Sequence, residues 1–245
     1  MKINLLQVGV LVGGLSLGIG PVASAIPLMT LDDGAGNTVS LIGGGTPTIA
    51  GSVSTTSYSV APLGTVCWNG SIGVWSLTME LGVTKPFQGS AAVPAMSLSF
   101  SSTSTGAGTL TVKWSDTDFG PSSGAFKADI GGTLNTGGGS LSYSTFYSLA
   151  NAVPAPTVLT AAMLFTTPGG FSGTGTAAAG ALPPPYSLTE MLVLHHNGAG
   201  LSSGDAQLLG VVPDSGSTFL LLGAGLLGIA GACRLQKDRK SVLVP

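Results

Sequence analysis

The chain has 245 residues and a mass of 24.1 kDa, enough for one large β domain or two small domains. Only 7% of the residues are charged and 44% are hydrophobic, and the sequence contains 39 glycines and 15 prolines. The formal net charge is -2, which excludes the basic face that nucleic-acid binding needs. Because Gly, Ser and Thr are poor helix formers and dominate the middle of the chain, the composition predicts an exported, β-rich protein.

Residues 1–25 predict a secretory signal peptide. Lys2 supplies the positive start, a largely apolar stretch follows, and Ala23 and Ala25 are the small residues at the cleavage positions. We therefore expect cleavage after Ala25, with the secretion machinery and signal peptidase as partners. The alternative is an anchor that is not cleaved.

Residues 26–211 predict an all-β ectodomain, an antiparallel β-sandwich or jelly roll of about ten strands. Its first element is a hairpin with strands at 28–32 and 38–42 and a turn at Asp33-Gly34. Alternation of apolar and polar residues indicates further strands. On the strand at 75–83, one face is expected to carry Trp75, Leu77, Met79, Leu81 and Val83. These strands are predicted at 75–83, 96–100, 109–115, 126–130, 141–149 and 186–196, and loops at 43–45, 137–139, 168–180 and 183–185.

Cysteine usage excludes a disulfide inside this region. Cys67 is its single cysteine, and Cys233 lies in the apolar C-terminal run. The region also contains eight acidic residues against three lysines, so it is mildly acidic and sparsely charged. Core packing must therefore hold the fold, and about 185 residues suffice for that.

No catalytic site is predicted. The G-x-S-x-G pattern of a nucleophile elbow occurs at 14–18, 120–124 and 200–204, which is compositional noise in a chain rich in Gly and Ser. Only Ser122, followed by Glu190 and then His195 or His196, keeps the Ser-acid-His order of a hydrolase. A G-x-G-x-x-G match at 223–228 falls in an apolar segment without a preceding strand and is not a nucleotide site.

No metal or cofactor site is predicted either. His195 and His196 should point to opposite faces of one strand, so the two side chains cannot easily bind the same metal ion. Asp116 and Asp118 share a face if the chain is extended and could hold Ca²⁺, although a solvated turn is the favoured interpretation. Two further features have both a structural and a functional interpretation. The sequon at 69–71 is either an Asn-Gly turn or a glycosylation site. The aromatic residues are either core residues or a sugar-binding platform: Trp68, Trp75, Trp114 and Tyr143.

The C-terminus predicts a membrane span. The run 215–233 has no charged residue and would measure about 28 Å as a helix, of which we assign 217–233 to the transmembrane helix. A basic cluster follows in the tail 234–245, which the positive-inside rule places in the cytoplasm, with the ectodomain outside. The cluster consists of Arg234, Lys237, Arg239 and Lys240.

Directly before this helix stands Val212-Pro213-Asp214-Ser215-Gly216. Motif, apolar helix and basic tail together resemble the C-terminal sorting domain of the PEP-CTERM class, in its Val-Pro-Asp-Ser-Gly variant (VPDSG-CTERM). The resemblance implies export, transient anchoring by the helix, and processing by an integral-membrane exosortase. Phrases of the ectodomain are also similar to a β-rich ectodomain that recurs in this class: TLDDGAGNTVSL at 30–41, GAGTLTVKWSDTDFG at 106–120 and PYSLTEMLVLHHNGAG at 185–200.

We therefore expect an extracellular or cell-surface protein with a structural or adhesive role and no catalysis. Its expected partners are the exosortase, the membrane and an extracellular polysaccharide, with no nucleic acid. The alternative is a carbohydrate-binding module that stays anchored in the membrane.

Overall fold

A computed structural model describes residues 26–61, 64–136 and 139–211. The predicted signal peptide, sorting motif, helix and tail lie outside these residues. Within them the chain forms fourteen strands, and every pairing between strands is antiparallel. The strands are β1 (Leu28–Asp32), β2 (Thr38–Ile42), β3 (Thr48–Ala50), β4 (Val53–Ala61), β5 (Thr65–Ile72), β6 (Trp75–Val83), β7 (Ala95–Ser104), β8 (Gly108–Phe119), β9 (Ala125–Thr136), β10 (Ser140–Ser148), β11 (Thr157–Phe165), β12 (Gly169–Ala178), β13 (Tyr186–His196) and β14 (Gly200–Gly210).

Two sheets of seven strands each face one another. The first sheet has the order β11-β10-β13-β8-β1-β2-β3, and the second has the order β12-β9-β14-β7-β6-β5-β4. The first half of the chain builds two local meanders, β1 to β3 and β4 to β7. From β8 onward the chain passes repeatedly between the sheets, so that β14 lies between β9 and β7.

Successive strands run in opposite directions, so the loops gather at two ends. We call one of them the exit end, because Val211 leaves the sandwich there. Backbone hydrogen bonds join its loops: Gly120 N donates to Ala91 O over 2.6 Å, and Ser122 and Leu182 bond each other. The exit end comprises Ile26, Gly64, Val211 and the segments 42–47, 84–94, 120–124, 149–156 and 179–185, and the other end is called the far end.

The core fills the space between the sheets. Alternate residues of β5 are buried, as expected for strands with one face on a core. Trp68, Trp75 and Trp114 are all fully buried, and Trp114 of the first sheet lies against the backbone of Gly82 in the second. A Cβ at residue 82 would stand 2.6 Å from Trp114 Cε2, which is closer than real contacts allow.

The Gly82→Ala variant tests this close approach. We expect it to lower the free energy of unfolding by about 1–3 kcal/mol, because the added methyl group overpacks a ring that has no room to move. Gly106→Ala is the matched control, since nothing lies within 4 Å of its Cβ position. Urea denaturation of both variants checks the difference, and equal stabilities would contradict the packing described.

The predicted all-β antiparallel sandwich is confirmed, and so is the first hairpin, in which Leu28 pairs with Ile42 and Asp32 with Thr38. The predicted strand count of about ten is too low. The predicted loop at 168–180 is also wrong, because β12 occupies most of it. Its inward positions are Phe171, Gly173, Gly175 and Ala177, so the two central glycines interrupt the apolar half of the period-two pattern.

The predicted facing of β6 is correct only in its first half. A register shift between Leu77 and Met79 reverses the alternation. Glu80 and Gly82 therefore point into the core, whereas Leu81 and Val83 are half-buried. Within the described residues no helix has the length and apolarity to cross a membrane, and the predicted span 217–233 lies beyond them.

Candidate functional site

The three residues with hydrolase order do not meet. Ser122 lies at the exit end, where it pairs with Leu182, four residues before β13 begins. His195 and His196 close the other end of β13, about 30 Å away at about 3.3 Å per residue. The Ser122 Oγ instead accepts a hydrogen bond from Gly124 N over 3.1 Å, which is a local turn contact.

Glu190 lies in the core of the first sheet. Its Oε1 accepts a hydrogen bond of 2.6 Å from the Tyr143 hydroxyl, whereas its Oε2 has no partner. Burial raises the pKa of Glu190 to about 8, which the hydrogen bond from Tyr143 only partly offsets. Glu190 is therefore a mostly protonated core residue at neutral pH, with no histidine beside it in the described contacts.

Glu80 is its counterpart in the second sheet. The Ser102 hydroxyl donates to Glu80 Oε1 over 2.9 Å, and Oε2 is again without a partner. Burial raises the pKa of this carboxyl to about 8 as well. Sequence reasoning missed this residue because it placed Glu80 on the polar face of β6.

The two histidines do point in opposite directions, as predicted. His195 is exposed, and its Nε2 lies 2.9 Å from Asn197 Oδ1. His196 is fully buried, with Ser104 Oγ 2.7 Å from Nδ1 and Ser202 Oγ 2.8 Å from Nε2. Burial lowers the pKa of His196 to about 4, and the charge of His195 adds to this effect. His196 is thus a neutral core residue that also packs on Trp75, with ring centroids 4.6 Å apart.

Asp116 forms a buried ion pair with a lysine of the same chain. Lys85 Nζ lies 2.7 Å from Asp116 Oδ2, and both side chains are buried. Thr84 Oγ1 donates to the same oxygen over 2.8 Å, and Thr117 N donates to Oδ1. Burial raises the pKa of Asp116 and lowers that of Lys85, each against the attraction of the other group.

Asp118 does not complete a calcium site with Asp116. Its φ of +59° interrupts the extended chain that the expected shared face requires. Asn151 Nδ2 donates to Asp118 Oδ1 over 2.8 Å, and Asp118 N donates back to Asn151 Oδ1. Across the residues that the structure describes, no group of three or more His, Cys, Asp or Glu side chains is arranged to hold a metal ion.

The remaining candidates have structural contacts. Burial opposes ionisation of Asp33, but hydrogen bonds from Asn37 and Ala35 outweigh it and lower the pKa of that carboxyl, which closes the first hairpin turn. Asn69 Nδ2 donates to Ser57 Oγ on the neighbouring strand. Cys67 is a half-buried free thiol. The aromatics considered for a sugar platform are all fully buried: Trp68, Trp75, Trp114 and Tyr143.

The place where the chain leaves the sandwich is held tightly. Gly210 N donates to Pro94 O, and Val211 N donates to Ala125 O, both over 2.8 Å. The Ser123 hydroxyl donates to Val211 O over 3.2 Å, so Val211 is bonded on both sides. A cleft opens beside this point, lined by Ala92, Pro94, Pro121, Ser122, Ser123, Gly210 and Val211. The next residue in the sequence is Val212, the first of the predicted motif.

The family comparison agrees with this position. Residues 211–234 match the family model of the VPDSG-CTERM motif. The chain carries a VPDSG-CTERM sorting signal. No curated protein and no solved structure matches the chain.

A VPDSG-CTERM signal implies export, surface association and processing by an exosortase-type enzyme. The match covers the predicted motif 212–216, the predicted helix 217–233 and Arg234. It also begins at Val211, the residue fixed by Ala125 and Ser123. The sorting signal therefore starts at the surface of the sandwich, with no spacer between them.

Proposed function

We propose that the protein is a non-catalytic structural or adhesive component of the cell surface or extracellular matrix. A signal peptide ending at Ala25 directs export, and the helix 217–233 holds the chain until an exosortase processes it. The basic cluster at 234–240 stays in the cytoplasm. The observation that carries the proposal is the VPDSG-CTERM match placed directly after the last strand of the sandwich.

The surface of the second sheet supports a matrix role. Side chains that face outward on β7 and β14 are mostly hydroxyls and amides, and Ser99 pairs across the strands with Asp205. On β9 and β12, Thr174 Oγ1 donates to Asp129 Oδ1, and Lys127 Nζ lies 2.7 Å from Asp129 Oδ2. A face of this kind offers hydrogen-bond donors and acceptors to a hydroxyl-rich polysaccharide.

The edges of the sheets support assembly. β4, β11 and β12 are edge strands of nine, nine and ten residues, and none contains a charged residue. Soluble monomers usually protect long edges with charges, prolines or bulges. These three strands contain no proline, although the pairings of β4 and β11 each include a register shift. Val158 and Leu164 of β11 are also largely exposed. Such edges suit a protein that adds strands to its neighbours in a matrix.

Among the described residues, the candidates for a catalytic role do not form an assembled site. The one Ser-acid-His order in the sequence spans the length of β13, and Glu190 is buried against Tyr143. The alternative, a carbohydrate-binding module, is less favoured, because the three tryptophans considered for a sugar-binding platform lie in the core. We therefore prefer the structural role to both.

Deletion of 212–216 tests the sorting claim. We expect the deleted chain to accumulate in the membrane fraction of the native host, because the exosortase no longer finds its motif. Wild-type chain should appear at the surface or in the medium with a new C-terminus near the motif. Cell fractionation and the intact mass of the recovered protein measure both.

Deletion of 241–245 is the matched control, since it removes five residues from the same end but leaves motif, helix and basic cluster in place. This control chain should behave like wild type. Unchanged localisation of the chain without 212–216 would refute sorting by the motif.

A further inference from the structure

Exposed apolar side chains are concentrated at the exit end of the sandwich. Twelve large hydrophobic residues are exposed in the described part of the chain, and six of them lie at this end. Phe87 is the most exposed of all, at 67%. We call these six residues the apolar rim: Ile26, Ile42, Phe87, Val93, Leu149 and Val211.

Charge is nearly absent from the same surface. The described loops of the exit end contain one charged residue, Lys85, and it is buried against Asp116. Asp118, at the end of β8, is half-buried and bonded to Asn151. The far end differs, because Asp32, Asp33 and His195 lie in or beside its turns.

The loop that carries Phe87 and Val93 is ordered by its own hydrogen bonds. Gln88 N donates to Thr84 O over 3.0 Å, and Ser90 N donates to Val93 O over 2.9 Å. Apolar side chains on a hydrogen-bonded loop cannot fold back into the core to escape water. Exposed apolar residues gathered at one end of a domain are typical of a surface that contacts a membrane or a partner.

We propose that the exit end docks on the lipid bilayer, with the apolar rim in contact with the membrane interface. This inference rests on the proposed function, in which the C-terminal segment is held in the membrane. Val211 is the last described residue, and the predicted helix begins at residue 217. Six residues span at most about 21 Å, so a chain held by that helix keeps the exit end close to the bilayer.

Docking fixes the orientation of the sorting signal. Because Val211 is bonded to Ala125 and Ser123, the sandwich and the start of the motif move as one body. With the rim seated in the interface, Val211 lies at the membrane surface, so the motif that follows it in the sequence starts within reach of a membrane-embedded exosortase. The sandwich then stands upright with its far end in the medium.

The test uses the full chain reconstituted into vesicles of phosphatidylethanolamine and phosphatidylglycerol that contain brominated acyl chains. One tryptophan is added at the rim, in Phe87→Trp, and one at the far end, in Val74→Trp, which replaces another exposed apolar residue. Bromine quenches only nearby indoles, and the three native tryptophans are buried, so the wild-type signal is subtracted as background.

We expect the added indole at residue 87 to be quenched several-fold more than the one at residue 74, with emission shifted to the blue. Equal quenching of the two would overturn the docking. A second variant, with Phe87, Val93 and Leu149 all replaced by serine, should keep its thermal unfolding temperature but be processed more slowly in the host. Processing at the wild-type rate would count against docking.

The two proposals fail separately. If wild-type chain is processed at 212–216 while residue 87 is not quenched, docking is wrong and the sorting function stands. If deletion of 212–216 leaves localisation unchanged, the sorting function is wrong whatever the quenching shows.

Discussion

Replacing Lys85 by methionine is expected to lower the free energy of unfolding by about 3–5 kcal/mol. The change leaves the Asp116 carboxylate buried without its cation and removes the hydrogen bond from Lys85 Nζ to Thr117 O. It also removes the contact of Nζ with the Phe119 ring, whose centroid lies 3.8 Å away. Urea denaturation at neutral pH measures the loss.

Lys127→Met provides the control. This lysine forms the other ion pair in the described residues, also 2.7 Å from its carboxylate, but its side chain is 46% exposed. A solvated pair contributes at most about 1 kcal/mol, so the control should stay close to wild type. Equal losses in the two variants would show that burial of the Lys85 pair is immaterial.

The pH dependence of the Lys85→Met variant adds a second readout. Without the lysine, only the hydrogen bonds from Thr84 and Thr117 oppose the burial that already raises the pKa of Asp116. The carboxyl can then avoid its unpaired charge only by taking up a proton. The loss of stability caused by Lys85→Met should therefore be smaller at lower pH. It should also be smaller in the double variant with Asp116→Leu and Lys85→Met, because that variant has no unpaired buried charge.

The second large effect is a fall in stability as the pH rises from about 4.5 to about 8. Over this range the unfolded chain releases the protons of Glu80 and Glu190, whereas the folded chain retains them, since burial raises both pKa values to about 8. Each carboxyl contributes a slope of up to about 1.4 kcal/mol per pH unit. Above pH 8 both states have lost the protons, and the slope disappears.

Glu80→Gln and Glu190→Gln isolate this effect. Glutamine keeps the acceptor for Ser102 or Tyr143 but cannot ionise. Between pH 6.5 and pH 8, above the range in which His196 contributes, each single variant should halve the slope, and the double variant should abolish it and be more stable than wild type at pH 8. Denaturation midpoints between pH 5 and pH 8.5 measure the slopes, and a double variant that follows the wild-type curve would refute the assignment.

His196 limits stability on the acid side. Its pKa falls from 6.5 to about 4 in the folded chain, chiefly because of burial. The unfolded chain therefore takes up a proton as the pH drops below 6.5, while the folded chain does not, and stability contributed by the neutral ring is lost. This loss opposes the gain from the two glutamates over the same interval.

The sequence was informative wherever alternating side chains differ in polarity. β13 has the bounds that were predicted, and β1 and β2 pair in the expected hairpin. The prediction from sequence was weakest at β12, because two of its inward positions are glycines, which add no apolar side chain to the alternating pattern. The ion pair of Lys85 and Asp116 could not be predicted for a different reason. The two residues are 31 positions apart in the sequence, and only the fold brings them into contact.

Register shifts are the other feature that pattern analysis cannot locate. One extra residue near Leu77 turned Glu80 from a predicted surface group into a core group. The VPDSG-CTERM signal was predictable because motif, apolar run and basic cluster are contiguous in the chain. By contrast, the fixing of Val211 by Ser123 requires a loop 88 residues away and is visible only in the structure.

The position of β14 determines when the protein can fold during export. This last strand supplies both neighbours, β7 and β9, with their hydrogen-bond partner, so the second sheet is split until residues 200–210 have crossed the membrane. The sorting signal follows these residues directly. On the proposed route of export, the last strand therefore crosses the membrane before the signal does, so it is available to the sandwich when the signal reaches an exosortase.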